Sequence, residues 1–107
     1  MIPELTDKYY KEKFTVLNAL HQVNDPELNI NIVDLGLVYA VEVTDRDINV
    51  DMTLSTRSCP MGGMITAHAK LAVEEAMPGY TVVINLVWEP KWNADKISEE
   101  GKALLGW

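Results

Sequence analysis

A chain of 107 residues and 12.0 kDa has room for one domain with one two-layer core, burying roughly two-thirds of its unfolded surface without staples. Nine basic residues against sixteen acidic ones give a net charge of −7, which argues against nucleic acid or an anionic membrane as partner and for proteins or small molecules. The single cysteine excludes an internal disulfide and fits a reducing, cytoplasmic compartment, no apolar run approaches membrane-spanning length, and MIPELTDKYYKEKF lacks the apolar core of a signal peptide.

Residues 8–23 have helical periodicity, with Tyr10, Phe14, Leu17, Leu20 and His21 on one side and Lys11, Glu12 and Asn18 largely opposite. Asp7 can cap this helix, and Pro26 stops it near Val23 by pushing Asp25 out of helical geometry. His21, on the apolar side, reads as a packed or rim histidine. The acidic loop 24–36, NDPELNINIVDLG, follows, with Asp25, Glu27 and Asp34 close together in the chain. Turn chemistry accounts for it: Asx-turns at Asn24 and Asp25 and a backbone needing freedom at Gly36. The sharper alternative is that one carboxylate supplies a metal ligand or proton acceptor beside Cys59.

Residues 37–44 and 48–55 alternate at period two and are joined by Asp45-Arg46-Asp47, so they form an antiparallel hairpin with one face buried. Leu37, Tyr39, Val41 and Val43 make the apolar face of the first strand. Ile48, Val50, Met52 and Leu54 make that of the second, leaving Asn49, Asp51, Thr53 and Ser55 polar.

The polar row leads into MTLSTRSCPMGGMI, residues 52–65, with the lone cysteine at its centre. Pro60 suits the first position of a helix, where a missing N–H costs nothing. Cys59 then occupies or adjoins the N-cap, where unpaired backbone N–H groups and the helix dipole, with Arg57 nearby, favour the thiolate. A thiolate binds metal or attacks electrophiles, and Gly62 and Gly63 leave room for a bulky approach. The alternative is a small buried cysteine beside an ordinary cap.

The second helix runs from about Pro60 to Met77, with Met61, Met64, Ile65, His68, Leu71 and Ala72 as its buried stripe. His68 lies roughly 13 Å along the axis from Cys59, too far to share a metal in an unbent helix, and reads as a hydrogen-bonded core histidine. Pro78-Gly79 ends this helix, and residues 80–87 form a third strand, parallel to the second across the helical crossover. Ser98, Glu99 and Glu100 open a short terminal helix ending near Leu105. Leu104, Leu105 and Trp107 dock on the domain, or else present a Trp-rich partner surface.

The fold class is therefore α+β: two layers in the order α-β-β-α-β-(short α), over residues 1–107, with a small mixed three-stranded sheet. That order also occurs in nucleic-acid-binding KH modules, but those carry a GXXG loop and are usually basic, and this chain is neither.

Taken together, NDPELNINIVDLGLV, MTLSTRSCPMGGMI, LVWEPKW and ISEEGKALLGW resemble the metal–sulfur cluster biosynthesis family, whose members include the SufT-like and PaaD-like proteins of the iron–sulfur cluster assembly domain superfamily. The resemblance extends from about Lys13 to Trp107. It implies a cytoplasmic factor in iron–sulfur protein maturation, not a turnover enzyme, with other assembly proteins and apo-clients as partners. Carried over by position, Cys59 is the functional thiol, Asp25, Pro26 and Glu27 form the DPE element, and Asp34, Leu35 and Gly36 the DLG element. The family's loop often reads TSPGCP or TTPGCP and here reads STRSCP. Ser55 keeps the hydroxyl of threonine, while Arg57 and Ser58 make the loop less rigid and more cationic.

A cluster of the ferredoxin type needs about four thiolate or equivalent ligands, and this chain supplies one. Either two chains bring two Cys59 thiolates together in a homodimer with exogenous thiols, or Cys59 holds iron or a cluster transiently while a partner supplies the rest. Asp25 and Glu27 are candidate weak auxiliary ligands. Two rivals remain: a thiol enzyme using Cys59 as nucleophile, which needs a base within reach of the sulfur, and an interaction module with an inert cysteine.

Overall fold

The computed structural model describes residues 6–26, 28–54 and 62–106. Its elements are α1 (Tyr10–Leu20), β1 (Val38–Val43), β2 (Asp47–Met52), α2 (Gly62–Ala76), β3 (Thr81–Leu86), a 3-10 turn (Ala94–Lys96) and α3 (Glu99–Leu105). The sheet has the order β1-β2-β3. Its first pair is antiparallel and its second parallel, so the sheet is mixed and the fold is α+β.

β2 is the central strand because its inward residues are the most apolar. Ile48, Val50 and Met52 are fully buried, with Val43, Val41 and Val38 opposite them on one side and Val82, Ile84 and Leu86 on the other. Helices α1 and α2 pack on each other, and on β1 and β3 respectively. On the outer face Asn85 Nδ2 donates to Asp51 Oδ1 at 3.0 Å, and Glu42 is exposed.

Several local expectations are corrected. In α1 the core takes Val16, Leu17 and Leu20, while Phe14 and His21 are exposed. The helix rolls towards Val16 because it must meet β1 and α2 together. It starts after Tyr9, with Asp7 Oδ1 accepting the Tyr9 N–H at 2.8 Å, so Asp7 caps the preceding turn and not the helix. In α2 the buried line is Ile65, Ala69, Val73 and Met77, and Met64, His68 and Leu71 face solvent. Apolar residues cover most of that helix. Small Ala69, 0% exposed, lets the backbone approach the sheet where a histidine could not. His68 is therefore not a core residue.

In β1 a register shift between Val38 and Ala40 is a bulge, which puts an extra residue in one strand and turns the later side chains over. Val38 joins Leu37 in the core and Tyr39 is left half-buried. Thr53, expected on the polar face, is 1% exposed, because the chain turns inward after Met52.

Candidate functional site

Cys59 stands in the chain between the end of β2 and the start of α2. With Ser55, Arg57 and Pro60 it belongs to segment 55–61, which lies outside the described residues, as does Glu27. The described chain on either side is held in place by the backbone. The Thr53 N–H donates to Leu37 O at 2.8 Å, keeping the strand paired one residue beyond Met52. Thr53 and Leu54 are both buried. Across the segment, Gly63 is exposed, and a Cβ built there would meet nothing within 4 Å, so that turn of α2 is open to an approaching group.

The acidic loop is a folded unit, not a loose connector. Asn24 and Asn31 form an isolated antiparallel bridge. Inside it the Asp25 N–H donates to Ile30 O at 2.9 Å and the Asn29 N–H to Asp25 O at 2.7 Å. Asn29 takes a φ of 58°, a left-handed conformation that asparagine tolerates better than most residues. Asp25 is 3% exposed, and its Oδ1 accepts the Leu28 N–H at 3.2 Å, three residues on, so the side chain caps its own turn one residue beyond the Asx-turn expected from the sequence. Pro26 is exposed at the corner of this turn.

Asp34 is a strut. Its Oδ2 accepts from Asn31 Nδ2 at 2.7 Å and its Oδ1 from the Ser98 hydroxyl at 2.9 Å. Its backbone N–H donates to Asn31 Oδ1 at 2.9 Å, and its carbonyl accepts the Ser98 N–H at 2.7 Å. Two residues on, Gly36 has a φ of 78°, and a Cβ there would sit 2.2 Å from Lys96 O. Glycine is required at Gly36 for both reasons. Leu35, between them, accepts the Trp92 indole N–H at 2.7 Å. The DLG triplet thus receives the C-terminal segment at Trp92, Lys96 and Ser98.

That segment contains what sequence reading missed. Ser98 was legible as a helix cap, and its hydroxyl does accept the Gly101 N–H at 3.0 Å, but its bond to Asp34 joins residues far apart in the chain. Trp92 and Thr53 likewise act through long-range partners. Tyr39 donates its hydroxyl to Pro90 O at 2.7 Å, and burial, with Glu89 adding, pushes its pKa up. Lys96 Nζ lies 5.1 Å from the centre of the Tyr39 ring, within cation–π range. Among the described residues no three His, Cys, Asp or Glu side chains are grouped to hold a metal ion, and the structure does not bring His21 and His68 into such a group.

The family model for iron–sulfur cluster assembly proteins matches residues 13–84, a span containing Asp25, Asp34, Gly36 and Cys59. The chain belongs to that family. It is 45% identical over 85 residues to the Fe-S protein maturation auxiliary factor SufT of Staphylococcus aureus, covering 78% of this chain and 97% of that protein. To the Fe-S protein maturation auxiliary factor YitW of Bacillus subtilis it is 37% identical over 95 residues, 88% of this chain and 93% of that one. Its fold matches the crystal structure of a domain of unknown function, DUF59, from Bacillus anthracis with a TM-score of 0.85 at 33% identity, over 90% of this chain and 92% of that one. The family expected from the DPE, DLG and CP motifs is the one to which the chain belongs. Among the described residues no helix is long and apolar enough to cross a membrane.

Proposed function

We propose that this protein is an iron–sulfur maturation factor that carries iron or a cluster as cargo on the Cys59 thiolate and passes it to apo-proteins, with no turnover chemistry of its own. The observation that carries the reading is the family match across residues 13–84, which includes the chain's one cysteine. A single thiolate is a poor permanent anchor for a cluster wanting about four, and such under-ligation suits release. The exchange needs no redox change: a bond from iron to the Cys59 sulfur forms as a donor ligand leaves, then breaks as a client thiolate replaces it. Its partners on this reading are assembly proteins that load it and clients that unload it. Asp25, and Glu27 two residues on in the sequence, are auxiliary oxygen ligands or shape the docking loop.

The test is anaerobic reconstitution with ferrous iron and sulfide, read by visible absorption and Mössbauer spectroscopy, with the mass measured under native conditions. Wild-type protein gains charge-transfer bands that Cys59→Ser lacks, and it transfers them to an apo-ferredoxin. Equal spectra for the two proteins would remove Cys59 from the mechanism and leave an interaction module with an inert cysteine.

A further inference from the structure

Among the described residues the sheet ends at β3, and the outer edge of that strand is plain. The strand reads TVVINL, without a charge or a proline, and its register with β2 is unbroken across six pairs from Asp47↔Thr81 to Met52↔Leu86. β1 has a bulge and the exposed Glu42, devices that blunt an edge against pairing; β3 has neither. The Thr81 N–H donates to Arg46 O and the Val87 N–H to Met52 O, both at 2.8 Å. Parallel pairing alternates, so odd-numbered residues address β2, and the amides and carbonyls of Val82, Ile84 and Leu86 point to the outer edge. Beside that edge runs a groove of about 330 Å³, floored by Val82, Val83 and Ile84 and walled on α2 by Thr66, Ala67 and Lys70. The small Thr66 and Ala67 leave space for an aliphatic side chain. Lys70 supplies a cation with no carboxylate in ion-pairing range among the described residues.

We infer that the β3 edge is a docking site for an extended segment of a partner protein, added as a fourth strand, with an acidic residue facing Lys70 and an aliphatic residue two positions away seated against Thr66 and Ala67. Edge backbone bonds supply the pairing, and the alternate side chains on the helix side supply the choice. Charge selects this occupant over a second copy of the chain. Lys70 stands beside the middle of β3, so antiparallel self-pairing would set two Lys70 ammonium groups face to face, whereas an acidic residue at that place is attracted. The inference goes beyond the cargo reading and does not use Cys59.

The full-length protein is titrated into a fluorescein-labelled peptide, acetyl-Thr-Val-Thr-Glu-Thr-Val-Thr-amide, and into its counterpart with lysine for glutamate, without iron. Saturable anisotropy is expected with the glutamate peptide, with amide shifts in ¹H–¹⁵N spectra centred on Val82, Ile84 and Leu86. Binding of the lysine peptide should be weaker by about tenfold. Lys70→Glu should reverse that order, and Ala67→Trp, which fills the groove from an exposed helix position, should abolish binding while circular dichroism stays unchanged. Should Ala67→Trp disturb the fold, the reversal by Lys70→Glu decides alone. No saturation at millimolar protein, binding untouched by both variants, or dimerisation of the wild-type chain in sedimentation that Ala67→Trp abolishes would each overturn the inference, the last by naming a second copy as the occupant.

Discussion

Ser98 and Asp34, distant in sequence, grip each other twice: the Ser98 hydroxyl donates to the Asp34 carboxylate at 2.9 Å and the Ser98 N–H to the Asp34 carbonyl at 2.7 Å. The same hydroxyl caps α3. One small side chain thus ends the acidic loop and starts the terminal helix.

Replacing it should loosen both. Ser98→Ala is expected to cost about 1–2 kcal/mol, the sum of a lost cap and a lost bond to a carboxylate. A double-mutant cycle with Asp34→Ala in chemical denaturation should return a coupling energy above about 0.5 kcal/mol. Additive losses would mean that the two residues act separately.

Gly36 and Gly79 both have positive φ, 78° and 88°, but only Gly36 has a backbone carbonyl where a Cβ would go. Gly79→Ala should therefore cost about 1 kcal/mol, the conformational penalty alone. Gly36→Ala adds a clash with Lys96 O and should cost about 3 kcal/mol or more. Midpoints of urea unfolding measure both, and equal losses would show that the 94–96 turn yields freely.

Tyr9 donates its hydroxyl to Asp45 at 2.6 Å, tying the start of α1 to the hairpin turn, and that bond holds the phenol above its usual pKa. A pKa raised on folding stabilises below the unfolded value, near 10 for tyrosine, and the contribution is lost as pH climbs through the folded value. Wild type should thus exceed Tyr9→Phe in melting temperature at neutral pH, with the gap closing above about pH 10. Asp7 has the opposite sign. Its hydrogen bond from Lys13, with the Tyr9 N–H second, holds its carboxyl below the usual range, so its contribution is present above about pH 4 and fades in more acid solution.

His68 and Ala69 are adjacent in α2 but opposite in burial. His68→Ala should change stability by no more than about 0.5 kcal/mol, as exposed positions do. Ala69→Leu should cost about 1–3 kcal/mol by overpacking a fully buried site. A reversed order in thermal melts would return His68 to the core.

The hairpin, the crossover helix and the third strand were legible because their signals are local. Ile48, Val50 and Met52 repeat at period two, Asp45-Arg46-Asp47 breaks the strand, and Pro78-Gly79 ends α2. The family was legible because its triplets are spaced along one chain. Part of the loop chemistry was legible too: that Asp25 bonds to the backbone of its own turn and that Gly36 needs freedom follow from residue type. The partner of Gly36 did not, since nothing near it in sequence points to Lys96.

Residue order and type therefore settle which elements form and the family to which the chain belongs, since period, turn breakers and motif spacing are written along the backbone. Folding in three dimensions settles which sides of α1 and α2 are covered, where Tyr39 faces after the bulge, and that Asp34 binds Ser98. Those outcomes depend on surfaces brought together from distant parts of the chain. A helix apolar nearly all round has no preferred side until a sheet and its closest-fitting small residue, Ala69, choose one.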